Sequence, residues 1–271
     1  MASRITERIR RTNAAGKRAM GIFVTSGFPR PEVTVEVLRA IDAGDADFIE
    51  LGMPFSDPLA EGLPIQRSSE MALAAGASMK STLEAARAFR AESDTPLLLM
   101  GYLNPVLRFG LSNFFDTAAS CGVDGLILPD LPPSERALVS EHADRVGMDI
   151  VHLIAPNTPE DRVRQVDSLS GGFVYAVSIT GLTGTGHGQR EAVNAYLKRS
   201  RELVTRNPLL VGFGISSHEA AMELSAHTDG FIVGSAVIRL VEEVYGDESL
   251  DAGERQGRIA RFVRGLKHGQ V

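Results

Sequence analysis

From residue 19 onward the chain alternates short apolar segments with amphipathic ones, eight times over, and this alternation restricts the fold more than any other feature. The apolar segments are AMGIFVT (19–25), DFIELG (47–52), PLLLM (96–100), DGLILP (124–129), MDIVHLI (148–154), FVYAV (173–177), PLLVGF (208–213) and DGFIVG (229–234). They are short and rich in β-branched and aromatic residues, as pleated, buried strands require. They lack polar alternation, as strands covered on both faces do.

The intervening segments read as helices. Pro31 opens one with Val33, Val37 and Ile41 on a single stripe, and Gly44 stops it. Further helices are expected over 67–75, 79–92, 112–121 (after a loop containing Tyr102 and Asn104), 134–146, 189–205, 235–245 and 252–267. Thr158 with Asp161, around Pro159, predicts a capping box, and Ser216 with Glu219 predicts another for a helix over 216–226. Ahead of the first strand, Ser3 as N-cap with Ile5 and Ile9 four apart predicts an amphipathic helix over 1–15.

Strand and helix alternating in this way require parallel strands joined by crossover helices. Eight such units close into an α/β fold of the (β/α)₈ TIM-barrel type, with the N-terminal helix across its bottom. An open doubly wound sheet is the competing architecture, and the glycine fingerprint it carries after its first strand is missing. The 271 residues are 44% hydrophobic, enough for one large core, and no linker or low-complexity stretch divides them. The expectation is therefore one domain over 1–271, with eight βα units spanning 19–245.

Charge and composition exclude several function classes. Net charge is −6 and the 28 basic residues are scattered, which argues against nucleic acid as a partner. No apolar run nears the roughly 18 residues of a membrane span. Cys121 is the only cysteine, so no internal disulfide forms and a reducing, cytoplasmic setting fits. The first 18 residues are basic without the apolar core of a secretory signal.

In a barrel of this type the chemistry sits where strands end and βα loops begin. Glu50 interrupts the second strand. Period-2 alternation puts it on one face with Phe48 and Gly52, opposite Ile49 and Leu51. A carboxylate there needs a buried Arg beside it or a task, and the stretch alone leaves both open. The loop that follows is stiffened by Pro54, Pro58 and Pro64 and adds two acids, Asp57 and Glu61. The loop 178–188, SITGLTGTGHG, has glycines at 181, 184, 186 and 188 and the length of a lid. GFGIS (212–216) and VGSAV (233–237) end the seventh and eighth strands without Lys or Arg. Backbone N–H groups beside glycine and a helix N-terminus still accommodate phosphate there.

The four lysines, at 17, 80, 198 and 267, lie away from strand ends, so Schiff-base chemistry has no candidate amine. The six histidines lack metal-ligand spacing, and His152, inside a strand, reads as a satisfied core residue. Acid–base catalysis by carboxylates on a small phosphorylated molecule is what remains.

The stretch IELGMPFSDPLAEG (49–62), the Tyr102-x-Asn104 pair, LPDLP (128–132), TGLTG (180–184), GFGIS and VGSA together closely resemble the tryptophan synthase alpha chain family. The resemblance covers essentially the whole chain in order. It implies cofactor-free retro-aldol cleavage of indole-3-glycerol phosphate to indole and glyceraldehyde 3-phosphate, a lyase step of tryptophan biosynthesis. It further implies a separate β chain that carries pyridoxal phosphate, in an α2β2 heterotetramer. By position, Glu50 resembles the family's acid/base. Glu61 falls where the family usually has an Asp that bonds the indole N–H, and Tyr175 matches a tyrosine near the glycerol portion. Phe23, Met100 and Ile127 match the indole pocket. Thr183, Gly184, Phe213, Gly214, Gly234 and Ser235 match the substrate and phosphate contacts. Asp57, Pro58, Asn104 and Pro132 match the face that docks on the β chain. Ile179 replaces a basic residue that some members carry in the lid.

Overall fold

The structure is a computed structural model that describes residues 3–58, 61–177, 187–212 and 214–269. Helix α1 (Arg4–Ala14) precedes strand β1 (Ala19–Thr25), helix α2 (Thr34–Ala43) and strand β2 (Phe48–Gly52). Helices α3 (Leu63–Ala74) and α4 (Met79–Arg90) lead to β3 (Leu97–Met100), and α5 (Leu103–Phe109) and α6 (Leu111–Ser120) to β4 (Gly125–Ile127). Then come α7 (Ala137–Val146), β5 (Asp149–Ile154), α8 (Glu160–Leu169), β6 (Val174–Val177), α9 (His187–Leu203) and β7 (Leu209–Gly212). The last are α10 (His218–Leu224), β8 (Gly230–Val233), α11 (Ser235–Gly246) and α12 (Ala252–His268). The eight strands form one closed parallel barrel in sequence order, and β8 returns to β1 through Met20 opposite Phe231. The (β/α)₈ architecture is as the alternation predicts.

Strand alternation sorts the core into two layers. Ile49, Leu51, Leu97, Leu99, Val174 and Ala176 point outward and pack beneath the helices. Phe48, Leu98, Val151, Phe173, Leu210 and Ile232 fill the barrel interior. Ile5 and Ile9 of α1 are fully buried in that interior cluster, so α1 plugs the end opposite the site. Ser3 caps α1 by accepting from the Thr6 N–H at 3.0 Å. The acidic residue just before β2, β4 and β8 has a common task. Asp47 accepts from Met20 N at 2.8 Å, Asp124 from Leu97 N at 2.8 Å and Asp229 from Leu209 N at 2.7 Å. Each satisfies a backbone donor of the neighbouring strand that the ladder leaves unpaired. Each is also paired with a cation: Lys267 for Asp47, Arg4 and Arg90 for Asp124, Arg201 for Asp229.

Several local expectations are corrected. The segment holding Asn104 is helix α5, not a loop, because Leu103 to Phe109 winds before Gly110 takes a φ of 88°. Pro159, not Thr158, is the N-cap of α8, and the Thr158 hydroxyl instead accepts from Ala155 N at 2.9 Å. Ser217 rather than Ser216 caps α10, accepting from Ala220 N at 3.2 Å. Helix α3 starts at Leu63, four residues before the expected 67, with Pro64 in its first turn where a missing N–H costs nothing. Strands β2 to β8 are shorter than their apolar segments, and at β3, β4 and β7 a flanking proline, Pro96, Pro129 or Pro208, cannot donate to a ladder.

Candidate active site

A cavity of about 670 Å³ opens at the C-terminal mouth of the barrel, within the size range of small-molecule sites. Its floor is set by β2, where Glu50 stands between Phe23 of β1 and Leu98 of β3 in register. Glu50 is fully buried, and neither carboxyl oxygen has a hydrogen-bond partner among the described residues. No buried Arg neutralises it there, so the paired-charge reading fails. Burial alone pushes its pKa from the usual 4.5 up to about 8, which keeps the carboxyl protonated at neutral pH. Tyr175 of β6 lines the same cavity with 6% exposure, and burial followed by the Glu50 and Glu61 charges raises its pKa well above the usual 10.0.

Glu61 reaches the cavity from the β2–α3 loop. Its pKa is raised by burial, lowered by a hydrogen bond from Tyr102 and raised by the nearby Asp130 carboxylate. Phe23, Ile65, Met100, Leu153 and Ile232 supply apolar walls. At the far side stand Gly214, Ser216, Gly234 and Ser235, where Gly234 is the N-cap of α11 and Ser235 its first residue. Gly214 has a φ of +72°, which a side chain would strain. Gly212 is required for another reason: a Cβ there would lie 2.2 Å from the Tyr175 hydroxyl oxygen.

Of the residues singled out in the sequence, Phe23, Glu50, Glu61, Met100, Tyr175, Gly214, Gly234 and Ser235 are brought together around this cavity. Ile127 is not. It is fully buried in the barrel interior with Leu98 and Val151 and does not line the cavity. Thr183, Gly184 and Phe213 lie outside the described residues, as does the stretch 178–186 of the expected lid over 178–188. Asp57, Asn104 and Pro132 are exposed, whereas Pro58 is buried and its carbonyl accepts from Gln66 Nε2 at 3.2 Å. His152 is buried but not satisfied: it faces the outer layer of β5, its Nε2 has no partner among the described residues, and burial followed by the Arg136 charge lowers its pKa to about 4. Among the described residues no cluster of His, Cys, Asp or Glu fits a metal ion, and no helix is long and apolar enough to cross a membrane.

The sequence reading missed Arg239, a cavity-lining cation near the glycine-rich ends of β7 and β8. It lies one helical turn beyond Ser235, and the i,i+4 spacing along α11 was the available signal. Tyr102 was noted only as part of a motif, and its hydroxyl contact with Glu61 was not anticipated.

The walls offer apolar surface, a neutral buried carboxyl and, on the far side, glycine-rich strand ends beside the start of α11 and Arg239. That defines a barrel enzyme working by acid–base chemistry on a small anionic molecule. The sequence model described as "Tryptophan synthase alpha chain" matches residues 9–266. The tryptophan synthase alpha chain of Geotalea uraniireducens is 42% identical over 267 residues, covering 98% of this chain and 97% of the relative. That of Halorhodospira halophila is 43% identical over 242 residues, covering 89% and 88%. The solved alpha subunit from Legionella pneumophila superposes with a TM-score of 0.86 at 33% identity, covering 98% of each chain. A chain of the tryptophan synthase complex from Pyrococcus furiosus gives 0.80 at 35% identity, covering 92% of this chain and 99% of that one. The chain belongs to the tryptophan synthase alpha chain family. As a member it is a carbon–carbon lyase subunit of tryptophan biosynthesis, and pyridoxal phosphate belongs to the β chain.

Proposed function

We propose that Glu50, Glu61 and Tyr175 carry the cleavage of indole-3-glycerol phosphate in this cavity, within a single-domain cytoplasmic chain. Breaking the bond at indole C3 needs a proton delivered to that carbon, a proton removed from the adjacent glycerol hydroxyl, and relief of the positive charge developing on the ring. Glu50, neutral when the substrate arrives, donates the proton to C3; its carboxylate then takes the hydroxyl proton as the carbon–carbon bond breaks. The proton balance closes on one residue. Glu61 accepts the indole N–H and stabilises the cationic ring. Tyr175 packs against the glycerol portion. Phe23 and Met100 receive the indole, while Gly214, Gly234 and Ser235 hold the phosphate beside the N-terminus of α11.

The observation that carries this reading is a fully buried carboxyl, without a hydrogen-bond partner among the described residues, in the wall of an otherwise largely apolar cavity. Burying such a group is costly unless it has a task. Purified protein given indole-3-glycerol phosphate is expected to release indole, with kcat/KM falling about tenfold per pH unit above pH about 8 as Glu50 loses its proton in the free enzyme. No indole would overturn the reading. A flat profile through pH 9 would remove Glu50 from the donor role.

The partner in this reading is a tryptophan synthase β chain. Solved structures of tryptophan synthase from Mycobacterium tuberculosis and of the tryptophan synthase complex from Pyrococcus furiosus contain chains similar to this one. Leu63, 79% exposed, sits between the cavity-lining Gly62 and Pro64, an apolar side chain in water beside the exposed Asp57 loop. Docking there would set the β chain directly against the loop that carries Glu61. Binding couplings are reciprocal, so a non-cleavable substrate analogue is expected to tighten β-chain binding about 5- to 150-fold. Titration calorimetry with and without the analogue measures this, and equal affinities would show that site and interface are uncoupled.

A further inference from the structure

Glu61 stands on an irregular loop, yet its carboxylate is held in place from outside that loop. Gln66 Nε2 donates to the Glu61 carbonyl at 2.8 Å and to the Pro58 carbonyl at 3.2 Å, which fixes the backbone. The Phe55 ring stacks on the Tyr102 ring with centroids 5.0 Å apart and planes 28° off parallel. The Tyr102 hydroxyl then donates to Glu61 Oε2 at 2.9 Å, across 41 residues of sequence. Tyr102 is itself well anchored. It is 5% exposed, and as the residue before α5 it precedes Leu103, whose N–H donates to both Asp130 oxygens at 3.0 and 3.1 Å. The loops after β2 and β3 therefore meet at the Tyr102 side chain, and the loop after β4 holds the backbone of the next residue.

We propose that Tyr102 is a positioning residue for Glu61, fixing one carboxylate oxygen so that the other is presented to the cavity. The proposal rests on the role given to Glu61 above. A glutamate has three side-chain torsions, and leaving them free would spread its oxygens over positions an ångström or more apart. Misplacement of that size costs about a hundredfold in rate. A tyrosine with its ring packed is a stiff support, and a hydroxyl bonded to a carboxylate is among the stronger neutral-to-charged contacts. Asp130 acts one step further out: it repels the Glu61 charge while pinning the start of α5 that carries Tyr102.

Tyr102→Phe keeps the ring, its stack on Phe55 and its packing, and deletes only the hydroxyl. The expected result is a fall in kcat of about ten- to a hundredfold with KM for indole-3-glycerol phosphate changed much less. The acid limb of the pH profile of kcat should move to higher pH, because the contact that favours the ionised Glu61 is gone. In a Glu61→Ala background the same substitution should cost nothing further, since its effect passes through Glu61. An equal loss in both backgrounds would overturn the proposal, as would full activity in Tyr102→Phe. A lowered melting temperature with an unmoved acid limb would also overturn it, leaving Tyr102 a purely structural residue. If Glu61→Ala alone proved fully active, the reading of Glu61 would fail instead, and the two failures are told apart by that single variant.

Discussion

Glu50→Gln is expected to lower indole release by at least about 10²- to 10⁴-fold, the range typical of a lost general acid–base group, while leaving the fold intact. Glutamine matches glutamate in shape and fills the same space between Phe23 and Leu98, but it cannot exchange a proton. The substitution also has a stability signature that separates a catalytic role from a structural one. Glu50 titrates near 8 in the folded chain and near 4.5 when exposed, so between these values the folded state holds more proton than the unfolded one. Stability therefore falls as pH rises through that window, by on the order of a few kcal/mol in total. Glu50→Gln removes this contribution and leaves those of the other shifted groups, Glu61 and His152 among them. Urea titrations at pH 5 and pH 9 should show the parent weakening by more than the variant, with the variant the more stable at pH 9. Near-parental turnover would shift the acid–base role elsewhere in the cavity. A variant destabilised at every pH would mean that the carboxyl is a packing element.

How much of this was legible beforehand differs between backbone and site. The barrel follows from period: a strand covered on both faces must be apolar throughout, and β1 keeps the bounds its apolar run predicts. Strand ends were less legible, because a proline such as Pro129 or Pro208 looks apolar in sequence and still cannot pair. Caps failed where two readings compete over one residue's distance. Ser216 and Ser217 both precede α10, and only the geometry selects Ser217. At the site, Glu50 was legible because a carboxylate inside an apolar strand is rare and costly. Ile127 packs in the barrel interior beside cavity-lining Tyr175 and Ile232, and strand alternation gives a residue's face but not its depth. Arg239 lies within α11, one turn past Ser235, and the Tyr102 hydroxyl crosses to a loop from another strand. Contacts across 41 residues have no local signature.

Glu61→Ala is expected to lower turnover by about 10²- to 10³-fold, the usual cost of removing one preorganised group from a developing charge. The charge here is positive and spreads over the indole ring once C3 is protonated. Within the cavity the acids that can answer it are few: Glu50 is occupied with the proton itself, and Tyr175 is held neutral. Glu61 lies in the wall at intermediate exposure, where the effective dielectric is below that of water and an ion–dipole contact gains strength. The stability cost should be small. What is lost is one partly buried contact with the Tyr102 hydroxyl, roughly 1 kcal/mol, so catalysis and folding separate cleanly in this variant. Glu61→Asp should retain a substantial part of the activity, because it keeps the charge and shortens only its reach, and Glu61→Gln should fall between Asp and Ala, keeping an acceptor without the charge. The order Glu, Asp, Gln, Ala in kcat, measured by single-turnover indole formation, is the expected series. Equal rates for Ala and the parent would show that this carboxylate does not touch the indole. Equal rates for Asp and Ala would show that reach, rather than charge, decides.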